Sequence, residues 1–167
     1  TLSSSSAASD VYKRQFEHLT AGPTTLLDPT GEGTVGSAVK DSAIVAAARA
    51  AGIPVETVPQ LVAIAGDSNS KAQTEAKTIL RERAVVLGEA VSSLVGLFNP
   101  TRVVLGGQAF TDYPDTLNLI ASLIHQNSTD VDIRVTAARG RVQQQAAAAV
   151  AITAVAYDPL HAVEGAR

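Results

Sequence analysis

The stretch Leu97-Phe98-Asn99-Pro100-Thr101-Arg102-Val103-Val104-Leu105-Gly106-Gly107 decides the fold. A residue that precedes a proline is pushed out of the helical region, so Asn99-Pro100 ends whatever helix leads into it. Arg102 to Leu105 is a short β-branched run closed by a glycine pair, which reads as a strand. Upstream, Asp67 and Ser70, with Gln73 three residues after Ser70, offer start signals for a helix running to about Phe98. In its first half Ala72, Ala76, Ile79 and Leu80 form one apolar stripe beside Lys71, Glu75, Lys77, Arg81, Glu82 and Arg83. Charges nearly vanish in its second half, which is therefore predicted to be buried. Downstream, Pro114 to His125 is a helix with Leu117, Ile120, Leu123 and Ile124 toward the core, and Asp132 to Thr136 alternates as a strand does. Strands alternating with helices imply an α/β chain with a βαβ-type parallel layer, helix-rich and with few strands. Two strands do not make a self-sufficient sheet, so something must pair with them in the full protein.

Farther from this centre the signals are local. Thr57 and Gln60 have capping-box spacing, Pro59 falls in the first turn, and Gly66 closes the short helix between them. Ser37 to Ala51 reads as one helix with Val39, Ile44, Ala47 and Ala51 on a face, stopped by Gly52 and Pro54. Phe16 to Gly36 is broken by Gly22, Pro23, Pro29, Gly31, Gly33 and Gly36 and reads as turns or loop. Gly140 precedes an Ala-rich helix, Val142 to Tyr157, suited to close packing on a neighbour, and residues 158–167 read as a tail.

A chain of 167 residues has room for one domain, and its core is built from Ala, Val, Leu and Ile because aromatics are only 4%. With 13 basic against 16 acidic residues and no Lys/Arg cluster, this stretch does not bind nucleic acid by itself. The absence of cysteine excludes a disulfide and a thiolate zinc site within it. No long uncharged apolar run and no signal-peptide pattern occur, so a cytoplasmic chain with no membrane contact is expected. The chain contains no methionine and begins at Thr1, so the natural start is expected upstream. Ser5 to Gln15, Ser-Ser-Ala-Ala-Ser-Asp-Val-Tyr-Lys-Arg-Gln, looks like a transposase-type sequencing adapter translated in frame. Residues 1–15 are accordingly set apart from the fold, and the coding sequence is taken from Phe16.

From Leu87-Gly88-Glu89-Ala90 through Gly107 the chain resembles the C-terminal signature of ROK proteins, the group that unites sugar-responsive repressors and sugar kinases. Gly66-Asp67 before the long helix and the Ala-rich closing stretch fall where that family has them, so the resemblance covers residues 16–157 as a partial C-terminal domain. It implies an actin/hexokinase-like ATPase fold of two α/β lobes, of which this chain supplies the later part of the second. The first lobe, its phosphate loop, the catalytic aspartate and any DNA-binding segment then lie upstream, and no catalytic residue is expected in this piece, which is not an enzyme as it stands. Zinc and ATP belong, on this resemblance, to the full-length parent and neither to this fragment.

The resemblance singles out two places. Gly106 and Gly107 match glycines that line the adenosine pocket in the family's kinases; the alternative is an ordinary strand-to-helix turn. The continuation Gln108-Ala109-Phe110 departs from the small residue usual in kinases, which favours a regulator that has lost nucleotide. Glu17, in Phe16-Glu17-His18-Leu19 before Ala21-Gly22-Pro23, matches a glutamate that accepts hydrogen bonds from sugar hydroxyls; the alternative is an exposed terminal Glu. The implied function is the effector-sensing and dimerising part of a sugar-responsive transcriptional regulator, with an ATP-dependent, glucokinase-like sugar kinase as the alternative. The partners implied are a small sugar or sugar phosphate, a second copy of the full-length protein, and DNA only through a missing N-terminal domain.

Other patterns are discounted on context. Gly31-Glu32-Gly33-Thr34-Val35-Gly36 matches the dinucleotide fingerprint, with Glu56 at a suitable distance, but no βαβ unit surrounds it. His18, His125 and His161 are isolated from one another and from carboxylates at metal spacing. Asp112 and Asp115 read as helix-start caps near a proline, and no nucleophile has an identifiable base.

Overall fold

The computed structural model describes residues 18–21, 26–28, 33–128 and 130–136. Its elements are α1 (Val35–Val39), α2 (Asp41–Ala50), α3 (Val58–Gly66), α4 (Gln73–Phe98), β1 (Arg102–Gly106), α5 (Gln108–Thr111), a 3-10 turn (Pro114–Thr116), α6 (Leu117–His125) and β2 (Asp132–Thr136). Residues 1–15, Glu17, the closing stretch Val142 to Tyr157 and the tail lie outside the described residues.

The 26-residue helix α4 is the spine, and α2, α3, α6 and the two strands are arranged along it. Its apolar stripe packs as the periodicity predicts, with Ala76, Ile79 and Leu80 buried in one cluster and Val91 and Val95 in another. The cue residues at its start act differently from the expectation. Asp67 accepts a hydrogen bond from Asn69 N at 2.9 Å and Ser70 Oγ one from Ala72 N at 3.3 Å, so both stabilise the turn that leads in, and the N-cap is Ala72 without a side-chain bond. Asn99 ends α4 in the left-handed region at φ 46°, a conformation asparagine tolerates, and its N–H closes on Val95 O at 2.8 Å.

Two helices stand where one was read between Ser37 and Ala51. Thr34 caps α1 through a reciprocal box with Ser37, an early start hidden by the surrounding glycines. Lys40, extended at φ −60° and ψ 143°, then breaks the run before α2. The Thr57/Gln60 box is present at α3: Gln60 Oε1 accepts from Thr57 N at 3.1 Å and from Glu56 N at 2.7 Å. An antiparallel bridge between Thr20 and Thr34, with Ala21 N to Gly33 O and Val35 N to Leu19 O both 2.8 Å, ties the segment following Glu17 to the start of α1.

β1 and β2 are parallel, with Arg102 opposite Asp132 and Gly106 opposite Thr136. Helix α6 makes the crossover between them, as a parallel pair requires. Val103, Leu105 and Ile133 face the cluster of Val91, Val95, Ile120 and Ile124, whereas Val104 is 61% exposed. Among the described residues the sheet has only these two strands, and no helix is long and apolar enough to cross a membrane.

Candidate functional site

The glycine pair lies at the end of β1. Gly106 is still paired with Thr136, while Gly107 turns the chain at φ 108°, a conformation that L side chains rarely adopt. A Cβ at Gly107 would meet nothing within 4 Å, so backbone conformation alone demands the glycine there. The turn leads directly into α5, which the sequence reading missed: Phe110 N bonds Gly107 O at 3.1 Å and Asp112 N bonds Gln108 O at 2.9 Å. Asp112 therefore ends a helix rather than starting one, while Asp115 lies in the first turn of the 3-10 segment.

Two spaces flank this junction. Beside Gln108 and Ala109, a small, partly open cavity of about 30 Å³ is bounded by Arg83, Asp112, Tyr113 and the start of α3. That is room for about one water molecule, too little for a nucleobase. On the other side Gly106 and Phe110 border an open groove of about 460 Å³, whose walls are apolar side chains, mainly of α4 and β1, with Arg102 as the sole polar side chain among the described residues.

Arg83 is the most constrained charge near the small cavity. Its guanidinium donates to Asp41 Oδ1 at 2.9 Å and Val39 O at 3.0 Å, joining α4 to both helices at the Lys40 break. Its Nε is buried with no hydrogen-bond partner among the described residues. Burial pushes the Arg83 pKa down, and the Asp41 carboxylate works against that shift, with a smaller contribution from Asp112. The Tyr113 phenol is pushed up by burial and by the neighbouring Asp115.

A third space is polar. It is a groove of about 370 Å³ between Thr20-Ala21, the middle of α4 at Glu89, Ser92 and Ser93, and the end of α6 at Leu123, Gln126 and Asn127. Close helix contact creates it: a Cβ at Gly88 would lie 2.7 Å from Leu123 Cδ1 and 3.4 Å from Ile120 Cα. Buried Ser92 donates to Leu123 O at 3.0 Å and accepts from Asn127 Nδ2 at 2.8 Å, which fixes the Asn127 amide. The signal that could have marked this groove is a Gly in a helix interior followed by two serines in a stretch otherwise nearly free of charge.

Glu17 lies outside the described residues, three positions before Thr20, and Gly106 and Gly107 are not lining residues of the polar groove. Of the dinucleotide-like glycines, Gly33 and Gly36 are spent on structure, and Gly31 lies outside the described residues. Gly33, at φ 65°, donates its N–H to Asp28 Oδ2 at 2.6 Å, Gly36 is buried within α1, and Glu56 sits at the start of α3. His125 Nδ1 lies 3.1 Å from Ser128 O, and among the described residues no group of three His, Asp or Glu is placed to hold a metal ion.

No protein-family profile matches the chain. Proteins named transcriptional regulators from Mycobacterium bovis and Mycobacterium tuberculosis are 38% identical over 147 residues, covering 80% of this chain and 33% of theirs. The chain thus spans about a third of the length of these curated relatives. A crystal structure of a ROK hexokinase from Thermus thermophilus superposes with a TM-score of 0.61 at 20% identity, over 75% of this chain and 43% of that one. A ROK family transcriptional regulator, described as a homologue of the Escherichia coli MLC protein, gives 0.52 at 22% identity over 72% and 33%. Both likenesses concern the fold, which is the actin-like ATPase arrangement expected from the sequence. The fold implied by the resemblance is borne out: the chain has part of the fold shared by a ROK regulator and a ROK hexokinase, and its sequence relatives are named transcriptional regulators.

Proposed function

We propose that this chain is the effector-sensing and dimerising part of a cytoplasmic, ROK-type transcriptional regulator whose DNA-binding segment is encoded upstream. The observation that carries this reading is the 38% identity, sustained over 147 residues, to proteins named transcriptional regulators. The likeness to the hexokinase is one of fold and favours neither function. A sugar or sugar phosphate, with Glu17 accepting hydrogen bonds from its hydroxyls, would bind one state of the body better than another. That difference would shift the equilibrium between states and so alter operator affinity.

The reading is tested by sequencing the genomic DNA upstream of the Phe16 codon. A helix-turn-helix followed by zinc-binding cysteines is expected. An N-terminal Asp-x-Gly-x-Thr phosphate loop with no DNA-binding segment before it would replace the regulator by a sugar kinase. Uninterrupted genomic coding for Ser5 to Gln15 would refute the adapter reading. The chain as given is also expected to give no hexose-dependent ADP release in a coupled assay, and turnover would contradict the assignment of catalysis to a missing lobe.

A further inference from the structure

We infer that the outer edge of β1 and the apolar groove beside it receive a further β-strand, supplied by a part of the full-length protein that this chain does not contain. The groove of about 460 Å³ is lined by every residue of β1, Arg102 to Gly106. Successive side chains of a strand point to opposite faces, so a space that touches the whole run lies along the strand's edge and not over one face of the sheet. No residue of β2 lines it, which places it at the edge turned away from β2. Its other wall is Val91, Leu94, Val95 and Phe98 of α4, at the spacing of a single helix face.

The main chain of that edge is set out for pairing. Asp132 N donates to Thr101 O at 3.0 Å, and Arg102 stands opposite Asp132 in the parallel register. The direction of bonding alternates along a strand, so the main-chain groups of Thr101, Val103 and Leu105 turn to β2, and those of Arg102, Val104 and Gly106 turn to the groove. Among the described residues β2 is the only strand neighbour of β1. Edges that stay in solvent are blunted by proline, lysine or a bulge, and β1 has none of these; its single charge, Arg102, sits at one end. Main-chain donors and acceptors along an apolar wall are the chemistry of strand addition, in which the backbone supplies affinity and alternate side chains supply specificity. The incoming residues on the α4 side are therefore apolar, and no acid is called for, because Arg102 is already engaged with Asp132 at 2.8 Å. Length points to the source: the 147 matched residues make up 33% of the curated relatives, so about two thirds of such a protein lies outside this chain. The inference shares with the regulator reading the premise of a longer parent, and it holds equally for a kinase parent.

The test is residue-resolved amide hydrogen exchange and NOE measurement by NMR on the full-length protein, once its upstream coding is in hand. The Val104 amide is expected to exchange as slowly as those of Val103 and Leu105, roughly a hundredfold or more below the rate of an open edge. It is also expected to show a close amide contact with a strand residue outside this chain. Val104→Pro removes the outward donor and leaves Val103 and Leu105 theirs, and a proline holds the residue before it extended, as Val103 already is. That variant should lower the Tm of the full-length protein by about 2 to 4 °C, and the exchange measurement needs no variant at all. A Val104 amide that exchanges at the open-edge rate, or Val104→Pro with an unchanged Tm, would overturn the strand and leave the regulator reading standing. Protection lost on dilution to the monomer would give the edge to a second copy, and a contact from Val104 to residues 137–167 would give it to this chain's own closing stretch; either overturns the inference. An upstream phosphate loop would replace the regulator by a kinase and leave the strand in place.

Discussion

The two hydrophobic clusters strung along α4 are built on opposite plans. The first, under α1, α2, α3 and the N-terminal half of α4, contains 17 buried residues among those described and includes Leu27, Ile44, Ile53, Leu61 and Ile79, each 2% exposed or less. The second, under the C-terminal half of α4, β1, β2 and α6, has seven, and beside it Leu97, Phe98, Val104 and Val135 remain 73%, 72%, 61% and 43% exposed to solvent. Helices close a core with their own side chains, whereas a two-stranded parallel sheet leaves a face and an edge that its own residues do not cover. The first cluster should therefore carry most of the stability of the described region, and the second should depend on what else packs against it.

Leu61→Ala probes the first cluster directly. Leu61 is fully buried in the helical layer, and truncation should cost about 2 to 5 kcal/mol by urea denaturation, transfer and cavity terms together. A loss below about 1 kcal/mol would show that the helical layer is loosely packed and would break the comparison.

Gly88→Ala tests the seam between the clusters. The added Cβ would overlap Leu123 Cδ1 at 2.7 Å and press on Leu123 Cβ at 3.2 Å. Moving a flexible Leu tip is cheaper than moving backbone, so the expected cost is about 1 to 3 kcal/mol, toward the lower end. The same substitution should separate α6 from α4 and disturb the Ser92 to Asn127 bond, visible as a shifted Asn127 side-chain amide resonance. Unchanged stability with an unchanged amide would mean that the helices approach less closely.

Legibility in the sequence followed the same divide between strong and single-residue signals. The spine helix, its stop at Asn99-Pro100, the strand after it, the capping box at Thr57 and β2 at Asp132–Thr136 were all readable, because each rests on several residues or on a proline that forbids alternatives. The break at Lys40 was not: one extended residue between helical runs leaves no mark in periodicity, and Lys is a good helix former. Helix α5 was hidden because four residues are too few to show a period. The polar groove needs Thr20, Glu89 and Gln126 to meet across three distant segments, which no local pattern encodes. The glycine pair was legible as a turn, and its role beyond that was implied by family resemblance alone.

Asp41→Asn addresses the anchor that fixes the Lys40 break. Asp41 is 68% exposed, so losing its charge costs little on its own side, but Arg83, 12% exposed, keeps a guanidinium whose main counter-charge has gone. The expected loss is about 1 kcal/mol. Arg83→Met, which removes the buried charge but orphans Val39 O, is expected to cost a similar amount. If Asp41→Asn were neutral while Arg83→Met was not, the hydrogen bond to Val39 would be the dominant tie between α4 and the first cluster.

The smallest effect belongs to the strand pair. Asp132 receives Arg102 Nε at 2.8 Å, directly across the β1–β2 register, and Arg134 Nε at 3.0 Å from its own strand. Hydrogen bonds from Arg102 and then Arg134 hold its carboxyl below the usual carboxylate range. A carboxylate with a depressed folded-state pKa contributes stability that is complete above its unfolded value and is lost as pH falls through the folded one. Wild type should therefore exceed Asp132→Asn slightly in thermal stability at neutral pH, with the two curves converging in strong acid and in high salt, since the group is exposed. The readout that matters is where the difference appears. If acid shifts β2 resonances while the buried methyls of Leu61 and Ile79 stay in place, the second cluster opens separately and the contrast between the two regions is sharpened. If both sets move together at one pH, the long helix couples them into a single cooperative unit despite their different construction.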